Sequence, residues 1–412
     1  MSNKILKIGL YGFGCVGQGL YDVLNRTNGI KAEIAQICVK DKEKKRSLPA
    51  GYFTFDQSEI INNEEIDVVV ELIDDAEAAY YIVTTALKKG KAVVTANKKM
   101  LAEHLEELHA LQQQYNAPLL YEAAVCASIP VIRNLEEYYD NDLLNALEGI
   151  VNGTTNYILT KLQKEGGDYP TALLEAQALG YAESNPSFDI EGTDAKYKTC
   201  ILVAHAFGLF VEPQQILNYG IKNVLPFDLQ FAKEKGYKLK LVAHCSKEED
   251  ELLAFVLPTF VEEENLLHRV EDVYNGVVVE AVFSDRQFFL GRGAGGHPTG
   301  SAVLSDISAL TYNYKYEYKK LKQGSTLKVG NSTSVKLYIR GKNIGNLEKL
   351  PFENIEQSFT SKEFSYIIGN IQLHYLSYLG LIKDPSLFIA RVGIANSLRA
   401  AVKETEVADI QN

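Results

Sequence analysis

Apolar and polar positions follow two different rhythms along this chain, and the change comes near residue 130. Before that point, short apolar runs alternate with stretches of helical spacing. Ile5–Tyr11 is an apolar run ending in glycines, and Val16–Leu24 shows the three- and four-residue spacing of an amphipathic helix. Ile34–Val39 reads as a second strand. Asp67–Ile73 holds Val68, Val69 and Val70 in succession, the pattern of a strand covered on both faces. A helix over Ala76–Lys88 stops at Gly90, where a left-handed capping residue is expected. Lys91–Thr95 is another strand, Leu101–Tyr115 another helix, and Leu119–Tyr121 closes the series. Repeated β-α units of this length predict a doubly wound, parallel α/β sheet.

Beyond Ile129 the helices lengthen and the strands cluster. Helices are predicted over Pro130–Tyr139, Asn156–Lys164, Pro170–Leu179 and Thr193–Phe207, with a strand at Ala146–Val151. Strands dominate from Leu239 to Phe289, which predicts an α+β domain with a mixed or antiparallel sheet. A glycine-rich turn, Gly291–Gly296, precedes a helix over Thr299–Leu310. Thr311–Gly330 is rich in Tyr and Lys and looks like a linker. The remainder reads β-α-α-β, from a strand at Val335–Arg340 to one at Leu387–Val392. The expected partition is a first domain over residues 1–130, completed by a returning segment 291–312, a second over 131–320 and a small C-terminal α+β domain over 321–412.

Composition narrows the classes. Among 412 residues, 42 Lys and Arg against 53 Asp and Glu give a net charge of −11, which argues against a protein that coats nucleic acid. The 46% hydrophobic content suits a folded soluble enzyme. No apolar run approaches the ~20 residues of a membrane helix. Met1–Lys7 runs directly into a strand pattern without a small-residue cleavage site, so no signal peptide is expected. The five cysteines (Cys15, Cys38, Cys126, Cys200 and Cys245) are scattered and odd in number, which suits free thiols in the cytoplasm. The histidines form no transition-metal signature.

Gly12-Phe13-Gly14-Cys15-Val16-Gly17 follows a strand and opens a helix. The first glycine permits the tight turn, the second lets backbone approach a pyrophosphate, and the third lets helix pack on strand. In that context the turn predicts dinucleotide binding on a Rossmann domain. The end of the second strand meets the adenosine ribose, and an acid there would favour NAD. Here Lys40 takes the place and five of the seven residues Lys40–Arg46 are basic, which suits the 2′-phosphate of NADP. Asp41 keeps NAD open.

Three later segments are more specific. Thr95-Ala-Asn-Lys-Lys99 stands at a strand end and is followed by Tyr121-Glu-Ala-Ala-Val-Cys-Ala-Ser-Ile-Pro130. Gly149-Ile-Val-Asn-Gly-Thr-Thr-Asn156 is the second. Gly180-Tyr-Ala-Glu-Ser-Asn-Pro186, leading to Asp189-Ile-Glu-Gly-Thr-Asp-Ala-Lys-Tyr-Lys198, is the third. With the glycine turn, in this order and spacing, they resemble the homoserine dehydrogenase family over residues 5–310.

The resemblance implies reversible hydride transfer between L-homoserine and L-aspartate 4-semialdehyde with NAD(P), on the route to threonine, methionine and isoleucine. It implies Lys198 as the acid/base, with Asp194 four residues earlier on the same helical face. Lys98, at the carboxyl end of a parallel strand, is implied to touch substrate or nicotinamide and stays open as the proton donor. Glu183 and Asp189 suit the substrate ammonium, and Asn152, Gly153 and Thr154 open a helix whose N–H groups suit a polar or anionic group. Thr95, Gly293 and Gly295 fall on the cofactor side. Glu122, with the carbonyls of Val125, Ala127 and Ile129, matches the family's monovalent-cation loop, for Na+ or K+. Cys126 is then a small buried residue rather than a nucleophile.

The chain departs from the family at Asp74-Asp75, where a glycine pair is usual, and two acids there would repel a phosphate if they pointed inward. The tail resembles the length of a regulatory ACT domain without its acid-x-Pro-Gly turn. The family also implies a homodimer or homotetramer. Two other readings stay open: a different amino-acid-pathway dehydrogenase on this scaffold, and a nicotinamide-nucleotide-binding sensor without turnover.

Overall fold

The structure, a computed structural model, describes residues 5–141, 143–248, 251–323, 327–330 and 332–393. Residues 1–4, on which part of the signal-peptide reading rests, and residues 394–412 of the C-terminal domain lie outside them.

The first sheet contains β1 (Leu6–Tyr11), β2 (Ala32–Cys38), β3 (Phe53–Thr54), β4 (Val68–Glu71), β5 (Ala92–Thr95) and β6 (Leu119–Leu120). All pair in parallel, in the order β3-β2-β1-β4-β5-β6. Ile8, Leu10, Val69, Val70, Val93 and Val94 are fully buried, which is why these strands read as unbroken apolar runs. In such a sheet the strand order reverses between β1 and β4, and ligands bind outside the carboxyl ends there. The loops after β1, β2, β4 and β5 all leave the sheet at that edge.

The helix Gly296–Leu310 returns from the second domain and lies against Cys15–Leu24. The approach is backbone to backbone. A Cβ on Gly19 would lie 2.1 Å from the Gly296 carbonyl oxygen, and one on Gly300 would lie 2.6 Å from Gly19. The spacing Gly296-x-x-x-Gly300 places both glycines on one helical face.

The second sheet is mixed and has eleven strands among the described residues. They are β7 (Leu144–Ile150), β8 (Leu217–Asn218), β9 (Lys238–Glu248), β10 (Glu251–Val261), β11 (Tyr274–Ala281), β12 (Asp285–Arg292), β13 (Lys328–Gly330), β14 (Ser334–Gly341), β15 (Asn354–Thr360), β16 (Ser365–Gln372) and β17 (Phe388–Val392). The order is β12-β11-β7-β9-β10-β17-β14-β16-β15, with β8 and β13 also on β10. β17 pairs in parallel with β10, Thr259 opposite Arg391 and Phe260 opposite Val392. The C-terminal strands therefore extend the sheet of the second domain.

Two expectations change here. The C-terminal module is β-α-β-β-α-β rather than β-α-α-β, with helices at Ile344–Leu347 and His374–Tyr378. β15 (Asn-Ile-Glu-Gln-Ser-Phe-Thr) has no buried position, so it carries no apolar alternation, and β16 opens on a continuous buried run, Ser365–Gly369, that hides its period. Part of the stretch expected to be a linker, residues 316–320, is packed instead. Tyr316 and Tyr318 are buried, and the Tyr316 hydroxyl accepts the Tyr121 N–H. Tyr121 also bonds the hydroxyl of Tyr318 and ring nitrogen Nε2 of His205, whose other nitrogen meets Glu136 at 2.6 Å. Tyrosine stands at positions 314, 316 and 318, and such rings can be buried while their hydroxyls find partners.

Candidate active site

The loop after β1 begins at Gly12, whose φ of +93° and carbonyl-crowded Cα exclude a side chain. Gly17 is equally closed, since its Cβ would meet the Gly12 oxygen at 2.5 Å. A Cβ on Gly14 would meet nothing. That open position faces a cleft of about 830 Å³ lined by Gly12, Phe13, Gly14, Cys15 and Val16, by Lys40, Asp41, Lys44 and Arg46, and by Glu183. The glycines thus form the cradle a pyrophosphate needs, at the start of the helix Cys15–Leu24. Arg46 lies over the Phe53 ring and donates to the carbonyls of Asp41 and Lys44, holding the basic loop folded beside the cleft.

Asp74 and Asp75 both line this cleft. Asp75, however, accepts the N–H groups of Glu77 and Ala78, each at 3.1 Å, and caps the helix Ala76–Lys88. Its charge is spent on a helix start rather than aimed at a phosphate. Beneath, Glu71 is fully buried and accepts the Ile73 N–H and the Thr95 hydroxyl. Burial pushes its carboxyl up to about 7 against those bonds. Thr95 is itself fully buried, so its hydroxyl braces the strand ends and does not face the cleft.

A compact charge cluster centres on Asp194, in the first turn of the helix Thr193–Phe207. Its Oδ1 lies 3.0 Å from Lys98 Nζ, and its Oδ2 lies 2.7 Å from Lys198 Nζ and 2.8 Å from Asn152 Nδ2. Lys198 Nζ also donates to the Val151 carbonyl at 2.7 Å, and Asn152 Nδ2 to Asp189 at 2.7 Å. Burial alone would raise the Asp194 carboxyl, but Lys198 and Lys98 hold it well below the usual range. Asp194 in turn raises Lys98, with Asp189 and Glu183 adding to it against burial. Burial and the Asp194 charge raise Asp189.

Gly153 packs on the Val273 carbonyl, where a Cβ would come to 2.8 Å, and this closeness seats the helix Gly153–Glu165 with Asn152 as its cap. The Thr154 hydroxyl donates to the Tyr181 carbonyl, tying the helix start to the loop that carries Glu183. Lys98 and Lys198 come from different domains, 100 residues apart, yet share one carboxylate.

A family model for homoserine dehydrogenase matches residues 130–308, and a model for the homoserine dehydrogenase NAD-binding domain matches residues 12–122. Homoserine dehydrogenase of Helicobacter pylori is 38% identical over 346 residues, covering 82% of this chain and 79% of that protein. The chain belongs to the homoserine dehydrogenase family. The enzyme of Bacillus subtilis is 36% identical over 321 residues, 76% of this chain and 74% of its own length. Among solved structures, a homoserine dehydrogenase from Thiobacillus denitrificans superposes with a TM-score of 0.84 at 29% identity, covering 94% of this chain and 98% of that one. A hyperthermophilic archaeal homoserine dehydrogenase mutant solved in complex with NADPH reaches 0.65 at 28% identity, covering 76% and 99%. The protein is an oxidoreductase with a Rossmann-type nicotinamide-nucleotide domain.

The loop expected to hold a cation departs from its expected donor set. Glu122 is buried, and its two carboxylate oxygens accept the N–H groups of Ile132 and Arg133 at 2.9 and 2.8 Å. It caps the helix Val131–Glu137 instead of pointing into a coordination shell. Burial, with Asp306 close by, pushes this carboxyl up to about 8. Asp306 receives the Glu122 N–H and pairs with Arg133 at 2.9 Å. Ala127 sits at φ 44°, a turn that re-aims the loop's carbonyls, while the Ile129 carbonyl accepts the Val131 N–H. Among the described residues no group of three or more His, Cys, Asp or Glu side chains is arranged around a metal. Cys126 is fully buried, and burial pushes its thiol up to about 11, the opposite of a nucleophile.

Gly293 and Gly295 lie in the turn before the returning helix. Gly293 presses on the Asn275 side chain and Gly295 has φ +114°; neither lines the cleft. Sequence reasoning overlooked Gly19, Gly300, Glu71, Arg133 and Asp306. Only Gly300 left a signal, its four-residue spacing from Gly296.

Proposed function

We propose that Lys198 is the acid/base of this homoserine dehydrogenase, in reversible hydride transfer between L-homoserine and L-aspartate 4-semialdehyde with NADP as the preferred nucleotide. The observation that carries the reading is the shared Asp194 carboxylate, which gathers Lys98 and Lys198 beside the acidic loop, residues 183–191, of which Glu183 lines the cofactor cleft. When bound, the nicotinamide supplies or takes up the hydride. The chain's own residues do the rest. Lys198 Nζ gives a proton to the forming alkoxide during aldehyde reduction and takes it back during oxidation. Asp194 and the Val151 carbonyl fix that Nζ in direction. Lys98 stabilises charge on the substrate oxygen. Glu183 and Asp189 meet the substrate ammonium, and Asn152 and Thr154 order the helix start beside them.

NADP rests on Lys40, Lys44 and Arg46 along the cleft and on the NADPH complex of the archaeal relative. For the cation, Na+ or K+, the loop offers the carbonyls of Val125, Ala127 and Ile129, while the Glu122 carboxylate is taken by the N–H groups of Ile132 and Arg133. The C-terminal module, with its β-α-β-β-α-β order, fits a divergent ACT-like regulatory domain over 321–412, beside a nucleotide domain over 1–130 and 291–312 and a catalytic and dimerisation domain over 131–320. A homodimer or homotetramer in the cytoplasm, acting on a small amino acid and not on nucleic acid, completes the reading. The described cysteines are all free thiols, as a reducing compartment favours.

The test is homoserine-dependent reduction of NADP and of NAD, in parallel, with and without added Na+ or K+. Turnover favouring NADP and stimulated by the cation is expected. Folded protein that binds nucleotide without turnover would return the sensor reading.

A further inference from the structure

Between the helix Thr193–Phe207 and the C-terminal module runs a short segment, residues 217–228, that touches both. On one side it grips the acidic loop. The Ile221 N–H donates to the Ile190 carbonyl at 2.8 Å, and Asn218 Nδ2 to the Glu191 carbonyl at 2.8 Å. Gly220 is pressed so closely that a Cβ would lie 1.9 Å from the Ile190 oxygen. On the other side it grips the module. The Tyr219 hydroxyl donates to the Leu387 carbonyl at 2.9 Å, and Asn223 Nδ2 reaches both that hydroxyl and that carbonyl at 3.0 and 3.1 Å. Arg340 on β14 donates to the Asn223 carbonyl at 2.7 Å and pairs with the buried Asp228, which also accepts the Tyr338 hydroxyl. Tyr219 is buried.

The acidic loop has unequal tethers. Asp194 is held by three separate side chains, Lys98, Lys198 and Asn152. Asp189 has a single side-chain partner, Asn152, and otherwise follows the backbone of Ile190 and Glu191. A shift of residues 218–221 would therefore act first on Asp189, whose side chain has fewer tethers than Asp194.

We propose that Tyr219 and Asn223 are positioning residues through which the C-terminal module sets the place of Asp189 and so the affinity for the amino-acid substrate. This rests on the reading of Asp189 as a partner of the substrate ammonium. Neither residue lines the cofactor cleft. The route needs no effector: the module acts as a standing brace on the substrate side of the site.

The experiment is steady-state kinetics of the full-length Tyr219→Phe and Asn223→Ala variants beside Asp189→Asn, with NADP affinity and thermal midpoint measured on each. Losing one such hydrogen bond predicts a homoserine KM raised about three- to tenfold, with kcat within about twofold of wild type and NADP affinity unchanged. Asp189→Asn is expected to raise the same KM. A KM unchanged in both brace variants, with Asp189→Asn raised, overturns the brace and leaves the Asp189 reading standing. A KM unchanged in Asp189→Asn overturns that reading and with it the route. A lowered thermal midpoint without a KM change assigns the two residues a purely structural role and also overturns the proposal.

Discussion

Lys198 and Asp194 sit one helical turn apart, with Nζ 2.7 Å from Oδ2, and neither side chain is more than a tenth exposed. An exposed pair at this spacing would contribute a few tenths of a kcal/mol to the helix. A buried one leaves a stranded charge if either member is removed. Lys198→Ala is expected to lower kcat by about 10²–10⁴-fold, the range of a lost general acid/base, while NADP affinity stays within a few-fold. Stopped-flow hydride transfer beside nucleotide titration checks it. Normal turnover would move the acid/base role to Lys98.

Asp194→Asn removes the anion that both lysines share. Because Asp194 is the main cause of the raised Lys98 pKa, its loss lowers that pKa. Lys98 would then lose its proton at lower pH. The alkaline limb of the kcat/KM profile is expected to move down in pH, together with a large drop in kcat. An unmoved limb would show that Lys98 does not carry charge in the reaction.

The basic loop makes a separable prediction. Lys40→Ala and Arg46→Ala are expected to weaken NADP binding about 10- to 100-fold, the scale of a charged hydrogen bond, and to leave NAD nearly unchanged. Titration of each variant with both nucleotides decides it. Equal losses for the two nucleotides would mean the loop is only a scaffold.

Gly19 offers a test of the returning helix. A methyl group there would meet the Gly296 carbonyl at 2.1 Å, and both neighbours are helix backbone that cannot rotate away. Gly19→Ala should cost about 1–3 kcal/mol of stability in urea unfolding, the usual cost of overpacking. Weaker nucleotide binding should accompany it, since the same helix opens at the glycine turn.

Lys240 is fully buried and donates to Asn156 Oδ1 and to the Val270 carbonyl. Burial, with Lys238 adding to it, pushes its ammonium down to about 7 from 10.5. Between those values the unfolded chain binds more protons than the folded one, so this group makes stability rise with pH from about 7 towards 10. In Lys240→Met that contribution is absent. The thermal midpoint of wild type relative to the variant is expected to climb across that interval. A constant difference would show that Lys240 keeps its charge in the folded state.

The first half of the fold was legible because its signals are local. The helix Ala76–Lys88 lies where its glycine stop places it, and Val68–Val70 is buried as an unbroken β-branched run demands. The glycine turn and the Asp194–Lys198 spacing are likewise properties of a few adjacent residues. The Tyr-rich strap, β15 and the Glu122 cap were not legible. Each depends on a partner outside its own few residues: Tyr121 for Tyr316, β16 for an otherwise polar strand, a helix start for a carboxylate that the family resemblance offered to a cation.

Residue types and spacings therefore determined the parallel nucleotide domain, the family and the candidates for catalysis, because helical and strand periods and cap chemistry act over a few residues. Tertiary structure alone decided that Lys98 and Lys198 share one carboxylate and that β17 joins the C-terminal module to β10. Those outcomes turn on burial and on partners distant in sequence, and a charge or a hydrogen-bonding edge has no fixed role until the fold supplies its neighbour.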